Sequence, residues 1–151
     1  MSKTVAISGG FDPVHIGHIR LIKEASELGG RLVVILNNDN WLLAKKGFAF
    51  MQQDERKEIL LAMKYVDEVI ITEHTQNPKD MSVCDALEKL KPDIFANGGD
   101  RKPDGDPVPE VDLCNRLGIE LVYNVGHGGK VQSSSELVRK VKEKGVDPRT
   151  I

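Results

Sequence analysis

Five short apolar runs punctuate this chain, at Val5-Ala6-Ile7, Leu32-Val33-Val34-Ile35-Leu36, Val69-Ile70-Ile71, Ile94-Phe95-Ala96 and Leu121-Val122-Tyr123. They are apolar on both faces rather than alternating, which is the mark of strands covered by helices on both sides of a parallel sheet. Helix-period segments fall between them. Ile19, Ile22, Ala25 and Leu28 recur at helical spacing, with Gly29-Gly30 as the expected C-cap. Asp54 is the expected N-cap of a helix running to Tyr65 with Ile59, Leu60 and Met63 inward. Ser82 to Asp85 reads as a capping-box variant opening a helix that stops at Leu90, before Pro92. Glu110 to Leu117 is a further helix stopped by Gly118, and Ser133-Ser134-Ser135-Glu136 is a full capping box for a last one. Trp41 to Gln53 has no clean period and reads as a loop with room for one short helical piece. The prolines of Arg101 to Pro109 make that stretch an exposed loop. Alternating strands and helices predict an α/β fold, a Rossmann-like doubly wound sheet of about five parallel strands in one domain. A strand order of 3-2-1-4-5 would place a ligand beyond the carboxyl ends of strands one and four.

The unusual polar groups all follow strands. Gly9-Gly10-Phe11-Asp12-Pro13-Val14-His15-Ile16-Gly17-His18 follows the first and runs into a helix starting near Ile19. Asn37 to Asp39 follow the second, Asn97 to Arg101 the fourth, and the serine cap the fifth. In this architecture those loops share one edge of the sheet. Two of them open helices, whose free N–H groups and positive dipole ends suit an anion such as a triphosphate.

Composition narrows the partners. At 151 residues and 16.7 kDa, with 40% hydrophobic and 29% charged residues, the chain has the make-up of one ordinary globular domain. A net charge of -2 and a pI near 6.1 supply no general basic field for nucleic acid. No apolar run approaches the roughly 18–20 residues a membrane helix needs, and no signal-peptide pattern opens the chain, so a cytoplasmic location is expected. Cys84 and Cys114 match no metal or redox spacing and read as buried free thiols.

The chemistry follows from what is present and what is missing. The P-loop frame around Gly128-Gly129-Lys130 is incomplete, and no Gly-x-Gly-x-x-Gly occurs, so neither a P-loop NTPase nor a dinucleotide site is supported. If a phosphate oxygen is the nucleophile, it is already ionised near neutral pH. Catalysis is then alignment and charge stabilisation. His15 and His18 fit as donors to the α/β-phosphate oxygens, with Lys45 or Lys46 arriving from the following loop. The competing readings are a helix-terminal histidine pair with structural hydrogen bonds only, and solvated surface lysines. A metal site has no third His or Cys at ligand spacing beside the pair. His74 and His127 are isolated and read as loop residues. Trp41 could be a core anchor, a loop hinge or part of an acceptor pocket.

Gly9-Gly10-Phe11-Asp12 with His15-Ile16-Gly17-His18 resembles the cytidylyltransferase-like nucleotidyltransferases, with their Gly-x-Phe-Asp turn and His-x-Gly-His helix start. Ser133-Ser134-Ser135 is similar to that family's second signature, and the likeness takes in Glu55-Arg56-Lys57 and Val66-Asp67-Glu68-Val69. The resemblance implies that His15, His18 and Lys46 are catalytic. It implies that Gly9, Gly10, Phe11 (through its backbone N–H), Gly17, Asn97, Gly98, Asp100, Ser133, Ser134 and Ser135 bind the nucleotide. It implies that Asp12, Asp39, Lys45 and Arg56 serve the acceptor, Asp12 alternatively holding a metal, and that Mg²⁺ accompanies the triphosphate. A homodimer is also implied. CTP with a polyol phosphate is the first expectation and ATP with a sugar phosphate the second. The loop Gly126-His127-Gly128-Gly129-Lys130 lacks the arginine of glycerol-3-phosphate cytidylyltransferases, and Asn97 to Pro103 looks more like heptose-phosphate adenylyltransferases. From another class, a regulatory module that binds nucleotide without turnover would keep the same motifs. A class I aminoacyl-tRNA synthetase fragment shares the His-x-Gly-His logic but would need a tRNA-binding domain.

Overall fold

The computed structural model describes residues 2–98, 109–126 and 139. Its elements run β1 (Thr4–Gly9), α1 (Ile16–Ser26), β2 (Arg31–Leu36), α2 (Asp39–Lys46), α3 (Gln53–Leu61), β3 (Glu68–Ile71), α4 (Cys84–Leu90), β4 (Ile94–Gly98), α5 (Pro109–Leu117) and β5 (Glu120–Val125). The strands form one parallel sheet in the order β3-β2-β1-β4-β5, as the alternation of elements predicts. Because the side-chain period of a strand is two, each strand feeds both faces. Val5, Ile7, Leu32, Val34 and Leu36 pack with Ile22 and Ala25 of α1 and Leu60 of α3. Ala6, Ile35 and Phe95 pack with Ala86 and Leu87 of α4 and Leu113 and Cys114 of α5.

The register opens the site. β1 pairs with β2 through six residues, Thr4 to Gly9, but with β4 only at Val5–Ile94 and Ala6–Phe95. The carboxyl ends of β1 and β4 therefore part, at the point where the strand order reverses, and leave a crevice there.

Several boundaries differ from the expectations, each for a local reason. The first helix begins at Ile16 instead of Ile19, because His15 itself is its N-cap. Its C-cap is Glu27, and Gly29 and Gly30 have another task. Gly30 N–H donates to the Lys3 carbonyl at 3.0 Å, and a Cβ on Gly29 would stand 2.5 Å from that oxygen, so the chain crosses there only without side chains. The stretch from Trp41 holds a short helical piece, the end of α2, followed by a loop at residues 47–52. Asn38 accepts the Trp41 N–H at 3.0 Å as N-cap, and Gly47 closes α2 in the left-handed region at φ 85°. Asp54 lies in the first turn of α3 rather than capping it, and that helix stops at Leu61, short of Tyr65. At α4 the Ser82 hydroxyl accepts the Cys84 N–H at 3.3 Å, and a distant carboxylate joins it: Glu110, buried on α5, accepts the Val83 N–H at 2.9 Å. The helix expected from Ser133 lies outside the described residues. Among the described residues, no helix is long and apolar enough to cross a membrane.

Candidate active site

Phe11 turns the chain out of β1 with φ at 51°, a left-handed conformation that a non-glycine residue holds only when its surroundings fix it. Burial supplies the fixing. Phe11 is enclosed in the core, and a Cβ on Gly9 would come within 3.1 Å of its ring, so the glycine makes room for it. Asp12 follows, fully buried, with Oδ2 accepting the Phe50 N–H at 2.7 Å and Oδ1 the Met51 N–H at 3.0 Å.

The two histidines come next and cap their own helix. Gly17 N–H donates to His15 Nδ1 at 3.1 Å, and His15 N–H donates to His18 Nδ1 at 3.2 Å. Each Nδ1 is thus an acceptor, which leaves the proton of each neutral ring on Nε2. The rings stack with centroids 3.8 Å apart, and His18 leans on Phe11 at 4.6 Å. Burial, then the neighbouring His15, then Lys46, lower the His18 pKa from 6.5 to about 3. His18 is therefore neutral at physiological pH and presents a fixed Nε2–H donor. It has no role as a general base there, because its basic nitrogen is spent on the backbone.

Lys46 reaches the same turn, with Nζ donating to the Asp12 carbonyl at 2.7 Å. Burial pushes its pKa down, Asp12 opposes this, and the charges of Lys45 and Arg56 push the same way as burial. Lys45 lies with its ammonium 4.7 Å from the centre of the Trp41 ring. Beneath both, Arg56 is fully buried. It donates to Met51 O (3.0 Å), Gly10 O (2.7 Å), Asn37 O (2.7 Å) and Asp39 Oδ1 (2.7 Å).

These contacts correct two expected roles. The Arg56 guanidinium does not offer itself to an acceptor phosphate, since it is spent on three carbonyls and on Asp39 Oδ1, while the Asp39 side chain stays one-third exposed. Asp12 does not fit as a metal ligand, because both carboxylate oxygens are taken by backbone amides in a fully buried position. Together Asp12 and Arg56 stitch residues 50–51 to the turn at 10–12. In Asp12→Asn, one N–H of the pair faces an amide NH₂ in place of an oxygen. Local stability should then drop by about 2 kcal/mol, the order of a lost hydrogen bond to a charged group. Hydrogen exchange at Phe50 and Met51 checks this, with both amides expected to exchange faster.

The remaining candidates divide. Gly9 ends β1, its carbonyl accepting the Asn37 N–H at 2.9 Å, and Gly17 sits in the first turn of α1. Asn97, buried, and Gly98 end β4 on the other side of the crevice. Asp100, Ser133, Ser134 and Ser135 lie outside the described residues. Asn37 was placed at the sheet edge but given no role of its own; among the described residues its buried Oδ1 has no hydrogen-bond partner, although its backbone is held by Gly9 and Arg56. Its signal was a polar residue immediately after a wholly apolar strand. His74 is structural: Nδ1 meets Thr72 Oγ1 at 2.8 Å and Nε2 meets the Ser82 carbonyl at 2.9 Å. A cavity of ≈ 490 Å³ against the edge strand β3, lined by Thr72, His74, Lys79, Ser82 and Val83 among others, is reached by none of the candidate residues. The chemistry lies with the histidines, not in that cavity.

A strand, a left-handed turn and a helix capped by two Nε2–H imidazoles, beside a crevice at the strand-order switch, form an arrangement suited to an anion such as a phosphate. Residues 6–117 match the family described as "Cytidylyltransferase-like". The chain belongs to that family. It is a nucleotidyltransferase. An FAD synthase of Methanothermobacter marburgensis is 33% identical over 96% of this chain and 89% of its own length. The bifunctional protein HldE of Magnetococcus marinus is 34% identical over 88% of this chain, which spans only 27% of that protein. A solved lipopolysaccharide core biosynthesis protein of Thermoplasma volcanium superposes with a TM-score of 0.67 at 25% identity, covering 84% of this chain and 99% of its own.

Proposed function

We propose that this nucleotidyltransferase is an adenylyltransferase that moves AMP from ATP to the phosphate of FMN, forming FAD and pyrophosphate. The observation that carries the acceptor is the end-to-end match to an FAD synthase, 96% of this chain against 89% of that protein. The expected preference for CTP is set aside, because that relative is named an FAD synthase, and FAD carries an adenylate.

The site residues suit the chemistry. A phosphate oxygen of FMN attacks the α-phosphorus of ATP, the bond from that phosphorus to the bridging oxygen breaks, and pyrophosphate leaves with the electron pair. FMN phosphate is largely ionised near pH 7, so no base is needed. The Nε2–H groups of His15 and His18 donate to the α-phosphate oxygens as charge builds there. The Lys46 ammonium, which donates to the Asp12 carbonyl, is proposed to turn to the phosphates. Mg²⁺ is proposed to arrive with ATP, held chiefly by the phosphates. Asp100 and the serines at 133–135 are proposed to complete the nucleotide side, and the homodimer and the cytoplasmic location are kept as part of the same proposal.

The likeness of the Asn97 to Pro103 stretch to heptose-phosphate adenylyltransferases keeps a sugar phosphate as the second acceptor class. Competition decides the nucleotide and the acceptor together. With equal ATP and CTP and either FMN or a hexose or heptose phosphate, FAD is the expected main product, and a cytidylyl product or exclusive use of the sugar phosphate overturns the reading.

A further inference from the structure

The chain has a single tryptophan, and it is not used in the core. Among the described residues, Trp41 belongs to neither hydrophobic cluster and is not among the partly buried residues packed against them. It stands instead at the carboxyl edge of the sheet. A Cβ on Gly10 would lie 3.4 Å from its Cζ3, so the indole borders the phosphate turn directly. On its other side, Trp41 Nε1–H donates to the Met81 carbonyl at 2.8 Å. The segment carrying Met81 is itself tied to the same helix, since Asn38 Nδ2 and Asn40 Nδ2 both donate to the His74 carbonyl, at 2.9 and 2.8 Å. The indole plane is therefore fixed before any ligand arrives, and the ring is partly buried with the Lys45 ammonium over it.

A large aromatic ring that is pinned by its N–H, left out of the core and set one residue from the catalytic turn can serve as a stacking surface. Its place also suits the acceptor side. The strands order the carboxyl edge as β4, β1, β2, β3. With the nucleotide over β4 and the transferring phosphate over β1, the acceptor falls over β2 and β3, where Trp41 stands. A cation over an indole face is exchangeable for another π-electron acceptor, and an electron-poor flat heteroaromatic ring is a better match for that face than a sugar.

We propose that Trp41 is the platform on which the acceptor's flat ring system stacks, and so a residue that selects a flavin over a sugar phosphate. The ring takes the place of the Lys45 ammonium, and Lys45 turns to the acceptor's phosphate. The proposal rests on the FMN reading above.

Because Trp41 is the only tryptophan, its emission reports the contact without a label. FMN added to the full chain without ATP should quench that emission saturably, after correction for absorption by the flavin, and a sugar phosphate should leave it unchanged. Trp41→Leu should raise KM for FMN about tenfold or more, as loss of one aromatic stack does, with KM for ATP unchanged. Trp41→Phe, which keeps a ring, should recover most of that loss. FAD formation with the same KM for FMN in Trp41→Leu, or wild-type emission indifferent to FMN, overturns the platform and leaves the function standing. Failure of the wild type to form any FAD overturns both.

Discussion

His18→Ala lowers pyrophosphate release by about 100- to 1,000-fold, the cost of removing one preorganised donor aimed at charge that builds in a transition state. Alanine removes two things at once, however. It takes away the Nε2–H donor, and it takes away the Nδ1 that accepts the His15 N–H and so caps α1. His18→Gln separates them. Glutamine at this third helical position can accept the same N–H through its side-chain oxygen, as in an ordinary capping box. The account predicts that His18→Gln keeps near wild-type thermal stability while still losing most activity. His18→Ala should lose activity and about 1 kcal/mol of stability besides, the usual worth of a cap.

The same pair of variants exposes a pH effect. The fold lowers the His18 pKa from 6.5 to about 3, so the unfolded chain binds a proton at this position more readily than the native one. Stability from keeping His18 neutral is complete above pH 6.5 and is lost as pH falls from there towards about 3. Wild type should therefore lose melting temperature faster than His18→Gln on acidification through that window. Equal slopes would show that the ring is not held neutral. Activity near neutral pH should show no limb from His18, since its charge does not change there.

The largest stability effect is expected at Arg56. Arg56→Met keeps an apolar stem of similar length but strands the carbonyls of Gly10, Asn37 and Met51 and the Asp39 carboxylate. Breaking a buried charged pair in this way costs about 3–5 kcal/mol. For a domain of this size that corresponds to a fall of about 10 °C in melting temperature. The damage should not be uniform. Hydrogen exchange should accelerate first at residues 50–51 and in the turn from Gly10, because these are the segments Arg56 joins. Arg56→Lys keeps the charge but offers one ammonium where a planar fork met four acceptors, so it should recover only part of the loss.

Arg56 also shows where the sequence was opaque. In a charged run, Asp54-Glu55-Arg56-Lys57-Glu58, nothing local separates a solvated arginine from one buried under three loops. Only the closure of the sheet brings Gly10, Asn37 and Met51 to one guanidinium. Asp12 was misplaced for the same reason: its partners are amides nearly forty residues away, at Phe50 and Met51. The start of α4 is a third case, where Glu110 from α5 takes the Val83 N–H across the fold, beside the local bond from Cys84 N–H to Ser82 Oγ. By contrast, the strands and their order were legible, because runs such as Leu32 to Leu36 state two-sided burial in their own composition. The histidine turn was legible because its contacts are local, between positions 15, 17 and 18. The short helix at Trp41 was legible only as a piece within a loop, because its apolar residues serve the site as well as the core, which blurs the period. Leu42 faces inward, Leu43 is exposed, and Trp41 borders Gly10.

Labelled ATP tests the central claim most directly, namely that the His15/His18 site directs attack at the α-phosphorus. ATP carrying label in the α-phosphate is compared with ATP carrying label in the γ-phosphate, each with FMN and Mg²⁺. The account predicts that α-label appears in FAD, that γ-label appears only in pyrophosphate, and that both transfers collapse in His18→Ala. Label moving from the γ-phosphate to the acceptor, with ADP as the second product, would contradict it.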